Sequence, residues 1–118
     1  MAETVWAEVV TWKSFEKTVI GRQLLEAADS VSANIAESDG RTGTNDVVNF
    51  LMYARGSMYE TKDWLQKAIR RKLIDPDRGQ VMLRCLEMLA PALNAYISAK
   101  RRTLRQRRTT QQPNNLTT

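Results

Sequence analysis

Val47-Val48-Asn49-Phe50-Leu51-Met52-Tyr53-Ala54-Arg55-Gly56-Ser57-Met58-Tyr59-Glu60-Thr61-Lys62-Asp63-Trp64-Leu65-Gln66-Lys67-Ala68 places apolar or small residues at Val47, Leu51, Ala54, Met58, Thr61, Leu65 and Ala68. The steps are 4, 3, 4, 3, 4 and 3. That is a heptad seam sustained over three heptads, the period of a helix packed against other helices. Phe50, Tyr53 and Trp64 lie on a second face, so this helix is expected to bury two sides. Thr44 stands at its start as a candidate N-cap, and Asp46 in its first turn complements the helix dipole.

Working towards the N-terminus, Ser38-Asp39-Gly40-Arg41-Thr42-Gly43 reads as a loop of turn formers. Before it, Phe15, Val19, Leu24, Ala28, Val31 and Ile35 give a helical period from Phe15 to about Glu37. The pattern slips once near Gly21, where a kink or break is expected. A first, shorter helix is expected from about Glu3 to Lys13, with Val5, Trp6, Val9, Val10 and Trp12 as its apolar residues.

Towards the C-terminus, Ile74-Asp75-Pro76-Asp77 marks a junction, with Asp75 as N-cap and Pro76 as first helical residue. Met82, Leu86, Leu89, Leu93 and Tyr96 then form a second seam, beside a row of Val81, Cys85, Met88 and Ala92. Cys85 is read as a core residue. Pro91 is expected to kink the helix or split it near Met88, because it removes a backbone donor. Four helical segments, short connections and two seams predict an all-α, up-and-down four-helix bundle over residues 1–108. Residues 109–118, polar and with Pro113, are expected to form a disordered tail.

The length of 118 residues holds one domain. Hydrophobic residues at 42% and charged residues at 26% fit an ordinary globular chain. Histidine is absent and Cys85 is the only cysteine. This excludes disulfides within the chain, Cys/His zinc sites, Ser-His and Cys-His catalysis, and the Glu-x-x-His pairs of di-iron bundles. No cofactor is expected. No apolar run approaches the ~20 residues of a membrane span, so a soluble cytoplasmic protein without a membrane role is expected.

The net charge of +5 is unevenly placed. Lys100, Arg101, Arg102, Arg105, Arg107 and Arg108 supply six positive charges within nine positions, and the rest of the chain carries 12 basic against 13 acidic residues. A weaker cluster is Lys67, Arg70, Arg71 and Lys72. Clustered Lys and Arg attract phosphate backbones, so both clusters are candidate nucleic-acid contacts, with a merely solubilising end as the alternative. Asn34 with Glu37, and Ser57 with Glu60, each three apart, are read with Arg55 as a buried polar network that fixes helix register. A weak carboxylate metal site is the functional alternative for these residues, and nothing in their spacing specifies one. Gly56 in mid-helix is read as a point of close helix packing.

Ser32-Ala33-Asn34-Ile35-Ala36-Glu37 together with Phe50-Leu51 and Ala54-Arg55-Gly56-Ser57-x-x-Glu60 resembles the four-helix-bundle family named after proteins encoded in intervening sequences of bacterial 23S rRNA genes. Ser38 replaces the family's glycine, and Ser32 stands where a proline is common. The resemblance covers about residues 20–75 well, the last helix generally and the basic end not at all. It implies assembly as a homopentameric ring and a relation to the accessory variability determinant of diversity-generating retroelements, which binds a reverse transcriptase and nucleic acid. It supplies no catalytic residues. The expected function is thus a non-enzymatic, oligomeric RNA- or DNA-binding protein, a candidate partner of a retroelement reverse transcriptase. The alternative is an assembly or scaffold protein whose basic end meets an acidic protein partner.

Overall fold

The computed structural model describes residues 1–41 and 45–116. Four helices follow in order: α1 (Ala2–Val9), α2 (14–39), α3 (Asn45–Arg70) and α4 (Pro76–Leu116). There is no strand among the described residues. α2 packs along α3 and α3 along α4, while α1 lies against α2. The short connections make successive helices antiparallel. Lys62 pairs with Glu87 at 3.5 Å and Arg55 donates to Asn94 at 3.1 Å, which fixes the antiparallel register of α3 and α4.

The seam of α3 is buried at every expected position: Val47, Leu51, Ala54, Met58, Thr61, Leu65 and Ala68. The buried Thr61 hydroxyl donates to the Ser57 carbonyl at 2.7 Å, so its polar atom is satisfied within the helix. The second face is only partly covered. Phe50 and Trp64 are half-buried, and Tyr53 is exposed.

Two core clusters result. In one, Val5, Val9 and Trp12 from the N-terminal segment meet Ile20, Leu24, Leu65, Ala68, Met82 and Leu83. In the other, Val47, Leu51, Ala54 and Met58 meet Leu86, Leu93 and Ile97, with Val31 and Ile35 at the edge. α1 is shorter than the sequence suggested. Its 8 residues end at Val9 and line only the first cluster, while Met1 before them touches both. One half of the rod therefore has four helices in its core and the other half three. Glu8 fastens α1 to the start of α4: its carboxylate accepts from Arg78 at 3.3 Å and from the Trp12 indole at 3.5 Å. The hydrogen bond and charge of Glu8 raise the pKa of Arg78 above its usual value.

The slip in α2 is a π-helical turn at Lys17–Gly21. A π turn accommodates one extra residue, which rotates what precedes it. Phe15 and Val19, expected in the core, are accordingly exposed, and Ile20 takes the buried place before Leu24. Gly21 lies where a Cβ would stand 2.6 Å from Val9 Cγ1, so the glycine lets α1 and α2 approach. Gly56 differs from expectation. A Cβ there would meet nothing within 4 Å, so it marks no close packing inside this chain.

α4 also departs from the expected pattern. Its seam runs through Met82, Leu86, Ala90, Leu93 and Ile97, and Leu89 and Tyr96 are turned outward. Half-buried Ala90 joins the second cluster, beside Met58 and Leu86. Val81, Cys85 and Met88 are exposed, so Cys85 is not a core residue. Pro91 does not split the helix; it sits on the exposed side, where water can satisfy the carbonyl it leaves unbonded. Helix continues through Leu116, beyond the expected end of the ordered chain at Arg108. Thr109 donates its hydroxyl to the Arg105 carbonyl at 3.0 Å at the start of this stretch, although its Thr, Asn and Pro113 are weak helix formers. The molecule measures 68 × 22 × 17 Å, its long dimension following α4.

Asp75 caps α4 as expected, its carboxylate accepting from the Arg78 amide at 3.2 Å. At the other end of that junction, Leu73 N bonds to Ala68 O at 2.9 Å and Lys72 N to Ile69 O at 3.0 Å. This is a Schellman cap, with Lys72 at φ 63° in the position that favours glycine. Lys72→Gly is expected to stabilise the fold by about 0.5–1 kcal/mol, seen as a higher denaturant midpoint at unchanged slope.

Candidate nucleic-acid interface

The antiparallel seam sets the amino end of α3 beside the carboxyl end of α4. α4 continues past Ile97, the last buried residue among those described, and carries Lys100, Arg101, Arg102, Arg105, Arg107 and Arg108 beyond it. The side chain of Arg108 lies outside the described residues, as does Thr44, the expected cap of α3. No Asp or Glu occurs after Glu87, so the part of the helix that carries these cations has no carboxylate of its own.

Half-buried Leu104 separates two clefts. One, of about 410 Å³, lies between Asn45, Val48 and Asn49 of α3 and Arg101 and Arg105 of α4. The Arg101 guanidinium donates to the Met52 sulfur at 3.5 Å, which draws it back over α3. The other cleft, of about 150 Å³, is lined by Asp39, Arg41, Lys100 and Arg107 among others. There the charges are partly matched. Arg41 lies 3.7 Å from both Glu37 and Asp46 and sits over the Phe50 ring at 5.1 Å. Lys100 lies over the Tyr96 ring at 5.3 Å, and the Tyr96 hydroxyl donates to Asp39 at 3.3 Å.

The second basic cluster is at the opposite pole, because α3 separates its own two ends by roughly 40 Å at about 1.5 Å per residue. Arg70, Arg71 and Lys72 are exposed there. Lys67 is engaged, paired with Asp63 at 2.7 Å and placed over the Trp64 ring at 4.6 Å. The two clusters thus form no single surface within one chain.

The buried polar network is not assembled. Asn34 donates to the Ser30 carbonyl of its own helix at 2.8 Å. Glu37 and Glu60 are exposed, and half-buried Arg55 reaches Asn94 instead. Among the described residues, no group of three or more Cys, Asp or Glu side chains is placed to hold a metal ion. No helix among them is long and apolar enough to cross a membrane.

The sequence features and the fold agree with a family model. Residues 1–95 match the 23S rRNA-intervening sequence protein. The chain belongs to that family. The fold is also that of a crystal structure of a protein of unknown function from the S23 ribosomal protein family of Bacteroides thetaiotaomicron, with a TM-score of 0.71 and 23% identity over 81% of this chain and 87% of that one. No curated protein matches the chain. The motif residues Asn34, Glu37, Arg55, Gly56, Ser57 and Glu60 fall inside the matched span, as does the weaker basic cluster at 67–72. Lys100 to Arg108 lie beyond it, so the basic end is an addition to the intervening-sequence protein match rather than part of it.

Proposed function

We propose that this intervening-sequence family member is a non-enzymatic, nucleic-acid-binding oligomer, an accessory protein that partners a retroelement reverse transcriptase. The observation that carries the reading is the acid-free helical end after Glu87, which carries six cations, four of them, Lys100, Arg101, Arg105 and Arg107, lining clefts at the tip of the bundle. Such a cluster neutralises backbone phosphates and releases their counterions. No reading head for bases accompanies it, so recognition is electrostatic. Exposed Tyr53, Tyr59, Met88 and Leu89 on α3 and α4 support assembly through faces that one chain leaves uncovered. A homopentamer follows from the family resemblance. The same apolar faces favour, as a second reading, a scaffold whose basic end holds an acidic protein.

The test is fluorescence anisotropy of the full chain with a 20-nucleotide single-stranded RNA and the matching DNA across a salt series, beside light scattering. Affinity is expected to fall with a log-log slope of about −0.7 per neutralised phosphate, reaching at least about −2. The mass at micromolar concentration is expected to be five times 13.5 kDa. Absence of salt-dependent binding would leave only the scaffold reading, and a 13.5 kDa species would remove the assembly.

A further inference from the structure

The larger cleft at the bundle tip has a composition that the run of cations alone does not explain. It joins two arginines from the end of α4 to two asparagines from the first turns of α3, with Val48 and Leu104 as its apolar floor. No carboxylate lines it. Asp46, the one acidic residue in the first turn of α3, is directed to Arg41, on the side of the smaller cleft. Arg101 and Arg105 are one turn apart on one flank of α4, and the Met52 sulfur holds the Arg101 guanidinium against α3. Among the described residues, neither arginine has a carboxylate within ion-pairing distance in this chain. Arg102 has the same charge but, at about 100° per residue, projects from the outer side of the helix, away from Leu104.

We propose that this cleft seats a backbone phosphate of a nucleic-acid strand, held by the guanidinium groups of Arg101 and Arg105 and by the side-chain amide of Asn49. The inference rests on the nucleic-acid reading above and adds a place to it. Guanidinium forks match pairs of phosphate oxygens, and amide donors commonly complete a phosphate site. The volume of about 410 Å³ admits the phosphate with its flanking sugar. The smaller cleft, lined partly by Asp39, is the poorer seat for an anion.

The experiment compares Arg105→Ala, Arg102→Ala and Asn49→Ala in the full chain, by anisotropy with the 20-nucleotide single-stranded RNA near 0.1 M salt. All three residues are exposed, and circular dichroism checks that helicity is kept. Arg105→Ala is expected to weaken binding about tenfold or more and Arg102→Ala less than about twofold, although both remove one charge. Asn49→Ala is expected to weaken binding severalfold with the salt slope unchanged, since it removes no charge. Equal effects of the two arginines with no effect of Asn49→Ala would overturn the cleft and leave a diffuse basic end, with nucleic-acid binding intact. Absence of RNA binding by the unsubstituted protein would overturn the nucleic-acid reading itself, and the cleft with it.

Discussion

Leu65→Ala is expected to destabilise the protein by about 2–5 kcal/mol, a large part of the roughly 5–15 kcal/mol that holds a domain of this size. Leu65 is fully buried in the cluster where all four helices meet. Its loss removes apolar contacts with more than one helix, and the surrounding residues cannot all collapse into the space. Cys85→Ala is the matched control. Cys85 is exposed, so its replacement should stay within about 0.5 kcal/mol. Urea unfolding followed by circular dichroism measures both. A large cost at Cys85 would place the seam of α4 on the wrong face, and a small one at Leu65 would do the same for α3.

That control matters because α4 is where sequence and structure part. The α3 seam was legible at all seven positions, since its apolar and small residues keep an unbroken 4-3 spacing from Val47 to Ala68. α4 has apolar residues nearly all round between Val81 and Tyr96, so periodicity offers two adjacent rows and does not choose between them. The choice is made by the register against α3, which brings Leu86, Leu93 and Ile97 into one cluster with it and which a single-helix pattern does not contain. The same limit explains Phe15 and Val19: a slip in the period locates an irregularity at Gly21, but only the π turn decides which residues before it face outward. Gly56 shows the converse error. A mid-helix glycine signals close packing only if something approaches it, and within this chain nothing does.

The basic end was legible as a run of residues, and its surroundings were not. Arg41, Asn45 and Asn49 stand more than 50 positions from Lys100–Arg105, and none carries a motif. Antiparallel pairing of the two seams, in the register that sets Arg55 against Asn94 and Lys62 against Glu87, is the signal that would have placed them together. The expected network of Asn34, Glu37, Ser57 and Glu60 failed for a local reason. Asn and Ser side chains in helices find partners in carbonyls one turn back, as Asn34 does at Ser30, and no longer need one another.

The central claim is that the acid-free end of α4 binds nucleic-acid backbone while the bundle stands without its charge. The direct measurement is a salt series of RNA and DNA affinity for the full chain beside a variant with Lys100, Arg101, Arg105 and Arg107 all changed to Gln. Glutamine keeps helix propensity close to that of Lys and Arg, and these side chains lie outside both core clusters, so thermal stability and helicity should be unchanged. Affinity at 0.1 M salt should fall by at least about a hundredfold, and the log-log slope should shrink by about 2–3, the share of four phosphate contacts at about 0.7 each on a single strand. The same affinity and the same slope in both proteins, with helicity intact in each, would contradict the account.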